Sequence, residues 1–325
     1  MASSLRFIAV VLAFIVSTPA WPQSTWKPEK NVEIIVPAAP GAAFDTTGRT
    51  LQRLLQDQKI LPGSSSVINK AGGGGVIAMN YLNAHPGDAN YLFVMTASVL
   101  TNHILGVSKD TYTDFTPLSM LFSEYLAYGV RADSPIKTAK DLADALRKDP
   151  TKYSIAVATS RGGALHIATG LALKAAGVDV KKLRIVVFNA NAESLTSMLG
   201  GHVDVAVSTV NSFVPHAQAG KLRVIAVSSP RRLKGFADAP TWKEQGINSE
   251  YASWRGMMGP RGLNAAQTAY WEDVFGKLTR SDEWRQDVEK NLWEVTYKGS
   301  RDSTREMEQH YDEMRRMLIE LELVK

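Results

Sequence analysis

The feature that most constrains the fold is an alternation of short apolar runs, rich in β-forming residues, with segments of helical pattern. Nine such runs follow one another along the chain: VEIIVP, SSVIN, YLFVMT, YLAYGV, YSIAVAT, LRIVVF, HVDVAVS, LRVIAVSS and ASWRGMMG. Between most of them apolar residues recur on one helical face, as at Leu51, Leu54 and Leu55. Strands separated by helices indicate parallel βαβ units. The sequence therefore predicts an α/β fold with mostly parallel sheets flanked by helices.

The length of the chain predicts two domains, yet no linker divides it. A chain of 325 residues exceeds one ordinary domain, and no Pro/Ser-rich joint separates two halves. We therefore expect two lobes joined by two crossings, in segments 125–135 and 249–260. The first lobe would contain 27–127 plus 253–325, and the second 128–252. An apolar stripe on the C-terminal helix is expected to pack against the first lobe: Met307, Tyr311, Met314, Leu318 and Leu321.

The N-terminus indicates export. Residues 1–20 combine a single positive charge, the apolar run FIAVVLAFIV and small residues before Ala20, as in a cleaved signal peptide. The full chain carries a formal charge of +5, and removal of Arg6 leaves +4. Its basic residues are scattered, which argues against a nucleic-acid partner. The chain has no Cys, so it forms no disulfides. These features predict a protein of a bacterial periplasm.

The loop PAAPGAAFD follows the first apolar run and precedes a helix. Gly41 permits a tight turn, and the small Ala42 and Ala43 leave the backbone accessible. The first N–H groups of a helix are unpaired and favour an anion. Phe44 and Asp45 stand at the helix start, where Asp45 has two open roles: it satisfies those N–H groups, or it contacts a ligand. By itself this loop does not distinguish an anion site from a capped helix.

A second loop of the same construction, ATSRGG, again lies between a strand and a helix. Thr159 and Ser160 offer hydroxyl groups, and Gly162 and Gly163 offer open backbone N–H groups. Arg161 either points into solvent or binds a carboxylate in a bidentate manner. Two similar loops suggest that the chain holds an anion between them.

Two further loops carry polar side chains at predicted strand ends. Phe188, Asn189 and Asn191 stand in one, and Ser208, Thr209 and Asn211 in the other. In open α/β sheets, ligands bind outside the carboxyl ends of the strands. We therefore expect a single cleft between the lobes, lined by all four loops.

Signatures of catalysis or metal binding are weak. Ser160 lies outside a G-x-S-x-G motif, and the six His residues show no metal-binding spacing. The run AGGGG lacks the Lys-Ser/Thr of a phosphate-binding P-loop. The sequence thus favours a binding protein without metal or cofactor over an enzyme. A periplasmic hydrolase acting on an acidic substrate stays open as the alternative.

Several segments, taken in order, resemble the solute-binding proteins of tripartite tricarboxylate transporters. They are VPAAPGAAFD, NKAGGGGVIAMNYLNAHPGD, RADSPIKTAKDLADAL, SMLGGHVDVAVS, AGKLRVIAVSSPRRL, APTWKEQG and WRGMMGPRGL, with RADSPIKT, KEQG and WRGMMGP most similar to the citrate-binding branch. The resemblance implies a monomeric periplasmic binding protein of type II that closes on a carboxylate and delivers it to membrane subunits. It also implies that Ser98 lines the cleft with Ser208 and Asn211, and that the first two loops grip the carboxylates.

Two departures from the family pattern leave the ligand open. The usual GGG is Gly41-Ala42-Ala43 here, and Arg161 and the residues of the Phe188 loop replace small, Gly-rich ones. Aromatic and amide side chains suit a flat diacid as well as citrate, so terephthalate stands beside citrate as a candidate. Presentation of the bound ligand to a sensor kinase is a further possible role.

Overall fold

The structure is a computed structural model, and it describes residues 26–324. The predicted signal peptide, residues 1–20, lies outside the described residues. Within 26–324 no helix combines the length and the apolar character that a membrane crossing requires. The strands are β1 Val32–Val36, β2 Ser65–Asn69, β3 Tyr91–Met95, β4 Thr116–Arg131, β5 Ser154–Ala158, β6 Arg184–Phe188, β7 Val205–Thr209, β8 Leu222–Val227, β9 Ala252–Gly259 and β10 Trp293–Lys298. The helices are α1 Ala43–Asp57, α2 Val76–Asn83, α3 Ser98–Ile104, α4 Ala139–Lys148, α5 Ala164–Ala175, α6 Asn191–Leu199, α7 Val210–Gln218, α8 Ala265–Arg280, α9 Asp282–Asn291 and α10 Ser300–Glu320.

The strands form two groups joined by one long strand. In the first group β1 pairs in parallel with β2 and β3, and in the second β5 pairs in parallel with β6 and β7. The 16-residue β4 belongs to both groups. It pairs with β9 up to Tyr125, opposite Ala252, and with β7 from Leu126, opposite Thr209. The change of partners therefore falls between two adjacent residues.

The predicted α/β class is confirmed, but the sheet is mixed in direction. Strands β4 and β9 carry the chain between the halves in opposite directions, so they pair antiparallel with each other and with their neighbours. Each of the nine predicted runs lies on a strand. The sequence analysis missed β10 and the first half of β4. Both carry polar residues between their apolar ones, as in the segment Trp293–Lys298, which reads WEVTYK.

The predicted lobes serve below as names: the first lobe is 27–127 with 253–324, and the second is 128–252. Their exact boundaries remain a prediction. One buried apolar cluster is continuous between the two, from Ile35 and Phe93 through Tyr128 to Ile155. The halves are thus packed against each other on one side of the molecule.

The C-terminal helix α10 extends further than the sequence suggested. Its stripe packs on the first lobe, where Tyr311 bonds His103 Nδ1 at 2.7 Å. Its end, however, reaches the second lobe, where Leu321 contacts Gly170 and Glu320 pairs with Lys174 at 3.0 Å. A helix of 21 residues is about 31 Å long, enough to span both lobes.

Candidate functional site: an enclosed cavity between the lobes

A cavity of about 50 Å³ lies between the lobes at the carboxyl ends of β1, β3, β5 and β7. This is the edge at which open α/β sheets bind ligands. Eight of the predicted site residues line it: Ala42, Ala43, Phe44, Ser98, Thr159, Ser160, Gly163 and Asn191. Thr209, a polar residue of the fourth loop, also lines it. The other lining residues were not predicted from the sequence: Pro37, Gly74, Thr96, Leu126, Ala164, Leu165, Ala190, Ser253 and Arg255.

The first loop is shaped by Asp45, whose carboxylate does not line the cavity. The side chain is buried and accepts hydrogen bonds from Gly41 N at 2.8 Å, Arg49 Nε at 2.8 Å and Asn69 Nδ2 at 2.9 Å. Burial alone would raise the pKa of Asp45, but these bonds and the Arg49 charge outweigh it and hold the pKa below its usual range. Asp45 therefore fixes the turn from within.

Helix α1 begins at Ala43, and its N-cap residue, Ala42, makes no side-chain hydrogen bond. Asp45 is the third helical residue, and it reaches back to the N–H that precedes the helix, as in one half of a capping box. By contrast, α4 is capped by Thr138, whose side chain accepts a hydrogen bond from Asp141 N. The start of α1 is thus left to face the cavity through Ala42, Ala43 and Phe44.

The second loop presents α5 in the same manner. Gly163 caps α5 without a side-chain bond, and Gly163, Ala164 and Leu165 line the cavity. Thr159 adopts a positive φ of 73°, which is unusual for a β-branched residue, and its N–H donates to Phe188 O at 2.8 Å. A residue held in this conformation at a ligand-facing loop is typical of binding sites.

A buried histidine holds this second loop. Gly162 N donates to His166 Nδ1 at 2.9 Å, and this bond requires an unprotonated Nδ1. Burial, followed by the nearby charge of Arg161, lowers the pKa of His166 to about 4. The Arg161 side chain is exposed and lies with His166 beside a separate depression, not in the cavity. Gly162, like Arg161, is not among the residues that line the cavity.

The third and fourth loops contribute fewer of the predicted residues. Phe188 and Asn189 lie outside the lining, where Asn189 N donates to Glu193 Oε2 at 3.2 Å. Ser208 is fully buried, because successive residues of a strand face opposite sides and its neighbour Thr209 faces the cavity. Asn211 stands behind Thr209 and accepts its hydroxyl proton at 2.7 Å.

The lobes touch across the cavity. Residues 72–75, all glycine, adopt positive φ, and Asn102 Nδ2 donates to Gly74 O at 3.1 Å. A Cβ on Gly74 would lie 3.4 Å from Ser160 Cβ in the second lobe. The turn of the first lobe therefore packs directly against the second loop, and the arrangement is a closed one.

Arg255 on β9 is the one charged side chain among the described residues that line the cavity. It is 4% exposed and forms an ion pair with Glu124 of β4, which is also buried. Its Nη1 donates to Ser253 Oγ at 2.8 Å and to Trp254 O at 3.0 Å, and its Cζ lies 4.4 Å from the centroid of the Phe44 ring. Its Nε is buried without a partner in the part of the chain that the structure describes.

Both members of this pair are buried. Burial raises the pKa of Glu124, and the positive charge of Arg255 opposes that rise. The sequence signal for Arg255 was a basic residue inside an apolar strand, ASWRGMMG. A charged residue is rarely buried unless it is paired, so this Arg indicated a buried acidic partner elsewhere in the chain.

The chemistry of the cavity suits binding of an anion. Five residues with hydroxyl groups line it, namely Thr96, Ser98, Thr159, Ser160 and Thr209, of which Thr209 donates its hydroxyl proton to Asn211. Two helix starts without side-chain caps and a guanidinium group complete the lining. Among the described residues no His and no carboxylate lines it, and no group of three His, Asp or Glu side chains could hold a metal ion. The cavity therefore offers donors to an anion, without a base beside a nucleophile.

Comparison with protein families identifies a match over most of the chain. The model of the family described as "Tripartite tricarboxylate transporter family receptor" matches residues 50–323. A curated relative from Cupriavidus necator, "UPF0065 protein in gbd 5'region", is 25% identical over 287 residues, covering 88% of this chain and 86% of the relative. Protein BugT of Bordetella pertussis is 26% identical over 266 residues, covering 80% of each chain.

Solved structures share the fold. The periplasmic binding protein BugD has a TM-score of 0.82 at 23% identity, covering 92% of this chain and 99% of its own. The R. palustris protein Rpa4515, solved with adipate, has a TM-score of 0.83 at 23% identity, covering 90% and 98%. MatC from Rhodopseudomonas palustris, solved with bound malate, has a TM-score of 0.74 at 20% identity, covering 92% and 100%. These similarities confirm the predicted fold of a two-lobed periplasmic binding protein.

Proposed function

The chain belongs to the tripartite tricarboxylate transporter receptor family, and from this premise we propose that it captures a di- or tricarboxylate in the periplasm. The two lobes would close on the acid and deliver it to the membrane subunits of a tripartite transporter. Receptors of this family bind solutes and are not enzymes, so the hydrolase alternative is discarded. The composition of residues 1–20 supports export.

One observation carries the proposal: two helices open on the enclosed cavity without side-chain caps, one from each lobe. The starts of α1 and α5 both line it, and neither cap residue makes a side-chain bond. Uncapped helix starts present N–H donors and a partial positive charge to an anion. An anion held by both starts would tie the lobes together, which is what a receptor that closes on its ligand requires.

The donors are sufficient for useful affinity. Micromolar binding needs about −8 kcal/mol. Each hydrogen bond to a carboxylate contributes roughly 1.5–3 kcal/mol, and each helix end roughly 0.3–2 kcal/mol. Hydroxyl groups and backbone N–H groups could therefore hold one carboxylate, even after the costs of association are deducted.

The comparisons support a dicarboxylate or tricarboxylate ligand. Two of the solved relatives hold adipate and malate, both acids with two carboxylates. For this chain we propose a citrate-like acid or an aromatic dicarboxylate such as terephthalate.

A thermal-shift panel tests this function. It contains citrate, tricarballylate, C4–C6 diacids, phthalates, hydroxybenzoates and amino acids. A ligand at 100 times its dissociation constant should add about 2.7 kcal/mol to the free energy of unfolding. The proposal fails if no carboxylate shifts the transition while a sugar or an amine does.

A Thr159→Val variant tests the site, because it removes a hydroxyl from the lining and nearly preserves volume. Thr279→Val, at a buried threonine of α8 that does not line the cavity, is its control.

A further inference from the structure

We propose that Arg255 binds one carboxylate of the ligand through its Nε–H group, so that the cavity selects acids with a second carboxylate. The inference rests on the proposed function and adds to it a specific subsite. The other carboxylate would lie at the starts of α1 and α5, whose first residues line the same cavity. Nothing in the sequence pattern of the loops assigns this role to a strand residue.

The donor inventory of Arg255 points to a missing acceptor. A guanidinium has five N–H groups and no acceptor atom. The two N–H groups of Nη1 donate to Ser253 Oγ and Trp254 O, and Nη2 donates one of its two to Glu124. Nε lacks an acceptor among the described residues, although it is buried and belongs to a side chain that lines the cavity. Buried polar groups are nearly always hydrogen-bonded, so an acceptor supplied by the ligand accounts for this atom.

The guanidinium is held in place before any ligand arrives. Glu124 holds it from β4, and the Phe44 ring lies 4.4 Å from Cζ. Because Phe44 is the second residue of α1, this contact places the guanidinium beside the start of that helix. A fixed side chain loses little conformational freedom on binding, and a charge-assisted bond to a carboxylate is stronger than a bond to a neutral oxygen. Arg255 thus discriminates a carboxylate from an ester or amide at that position.

A purely structural pair is the competing explanation. Glu124 and Ser253 are opposite residues of β4 and β9, so the pair also joins the two strands next to the point where the chain changes lobes. That role explains Nη1 and Nη2, but it leaves Nε unexplained. The two explanations predict different responses to the charge of the ligand.

The experiment compares each of four diacids or triacids with its monomethyl ester: succinate, adipate, citrate and terephthalate. Binding is measured by calorimetry for the wild type, for Glu124→Gln and for the double variant Glu124→Gln/Arg255→Met. The double variant removes both charges together, because Arg255→Met alone would leave Glu124 buried and unpaired. Glu124→Gln retains an acceptor for Nη2 and is the matched control.

We expect the wild type and Glu124→Gln to prefer the free acid over its ester by on the order of ten- to one-hundred-fold. In the double variant this preference should fall to about threefold or less, while the ester itself binds as before. A double variant that keeps the wild-type preference would assign Arg255 to the structural role. A wild type that binds acid and ester equally well would overturn the subsite without any variant, even if the double variant does not fold. If the folded wild type binds no carboxylate of the thermal-shift panel, the proposed function fails first, and the subsite fails with it.

Discussion

Replacing Gly162 by alanine should weaken ligand binding by obstructing closure of the lobes, without removing any contact to the ligand. Gly162 has a φ of +78° and lies in the second lobe. A Cβ at this position would lie 2.6 Å from Leu105 Cδ1, at the end of α3 in the first lobe. The side chain of Leu105 must therefore move before the closed arrangement can form.

Two costs arise, and they act on different equilibria. The left-handed backbone conformation costs an alanine about 1–2 kcal/mol, and this cost lowers the free energy of unfolding in the open and the closed form alike. The overlap with Leu105 exists only when the lobes are closed. Because the end of a leucine side chain can rotate, we expect a cost near the lower end of the range for overpacking, about 1–2 kcal/mol. That corresponds to a roughly 5- to 30-fold loss of ligand affinity.

Two companion variants separate the costs. Gly246→Ala introduces the same strain at a φ of +81° with no neighbour within 4 Å, so it should lower stability and leave affinity unchanged. Leu105→Ala combined with Gly162→Ala removes the overlap and should restore most of the affinity. Affinity is measured by calorimetry and stability by chemical denaturation. The reasoning is refuted if Gly162→Ala binds as tightly as the wild type, or if its loss persists unchanged in the Leu105→Ala background.

Three further predictions concern the two loops. Asp45→Asn should lower the free energy of unfolding by about 1–3 kcal/mol at pH 7. Because the folded pKa of Asp45 is lowered, this difference should shrink as denaturation is measured toward pH 3, below the ordinary pKa of 3.8. The wild type should lose up to roughly 3 kcal/mol of its free energy of unfolding between pH 6.5 and 4, because unfolded His166 takes up a proton in that range and folded His166, with a pKa of about 4, does not. In His166→Asn the amide oxygen can accept the Gly162 N–H bond, so the melting temperature should depend less on pH than in the wild type. An equal dependence on pH would contradict the assignment. Thr159→Gly should change the free energy of unfolding by less than about 1 kcal/mol, because relief of the positive φ offsets the added freedom of the unfolded chain. Calorimetry should show weaker ligand binding, because the hydroxyl group is lost from the lining. Unchanged affinity would place Thr159 outside the ligand contacts.

The class of the fold and the two main loops could be predicted from local sequence. Apolar runs of strand type that alternate with helical segments indicate an α/β fold, whatever the details of the tertiary structure. Small residues between a strand and a helix likewise indicate an exposed helix start, as at Ala42 and Gly163, because the absence of a capping side chain is a local property. Both loops do line the cavity.

The direction of individual side chains could not be predicted. Ser208 and Thr209 are adjacent polar residues at the end of one strand, and only the pleat of the folded sheet decides which of them faces the cavity. The direction of the Asp45 side chain could not be predicted either, because its carboxylate is held by hydrogen bonds from Arg49 and Asn69 that form only in the folded protein.

The sequence by itself determined the α/β class, the two loops that line the cavity and the family, because these depend on patterns within short segments. Only the tertiary structure decided that a guanidinium lies at the cavity. Arg255 and Glu124 are 131 residues apart, and they meet because the register of β4 and β9 places Glu124 opposite Ser253. A buried charge is tolerated only where its partner is present. The position of Arg255 therefore depends on the pairing of β4 with β9 and could not be predicted from either segment alone.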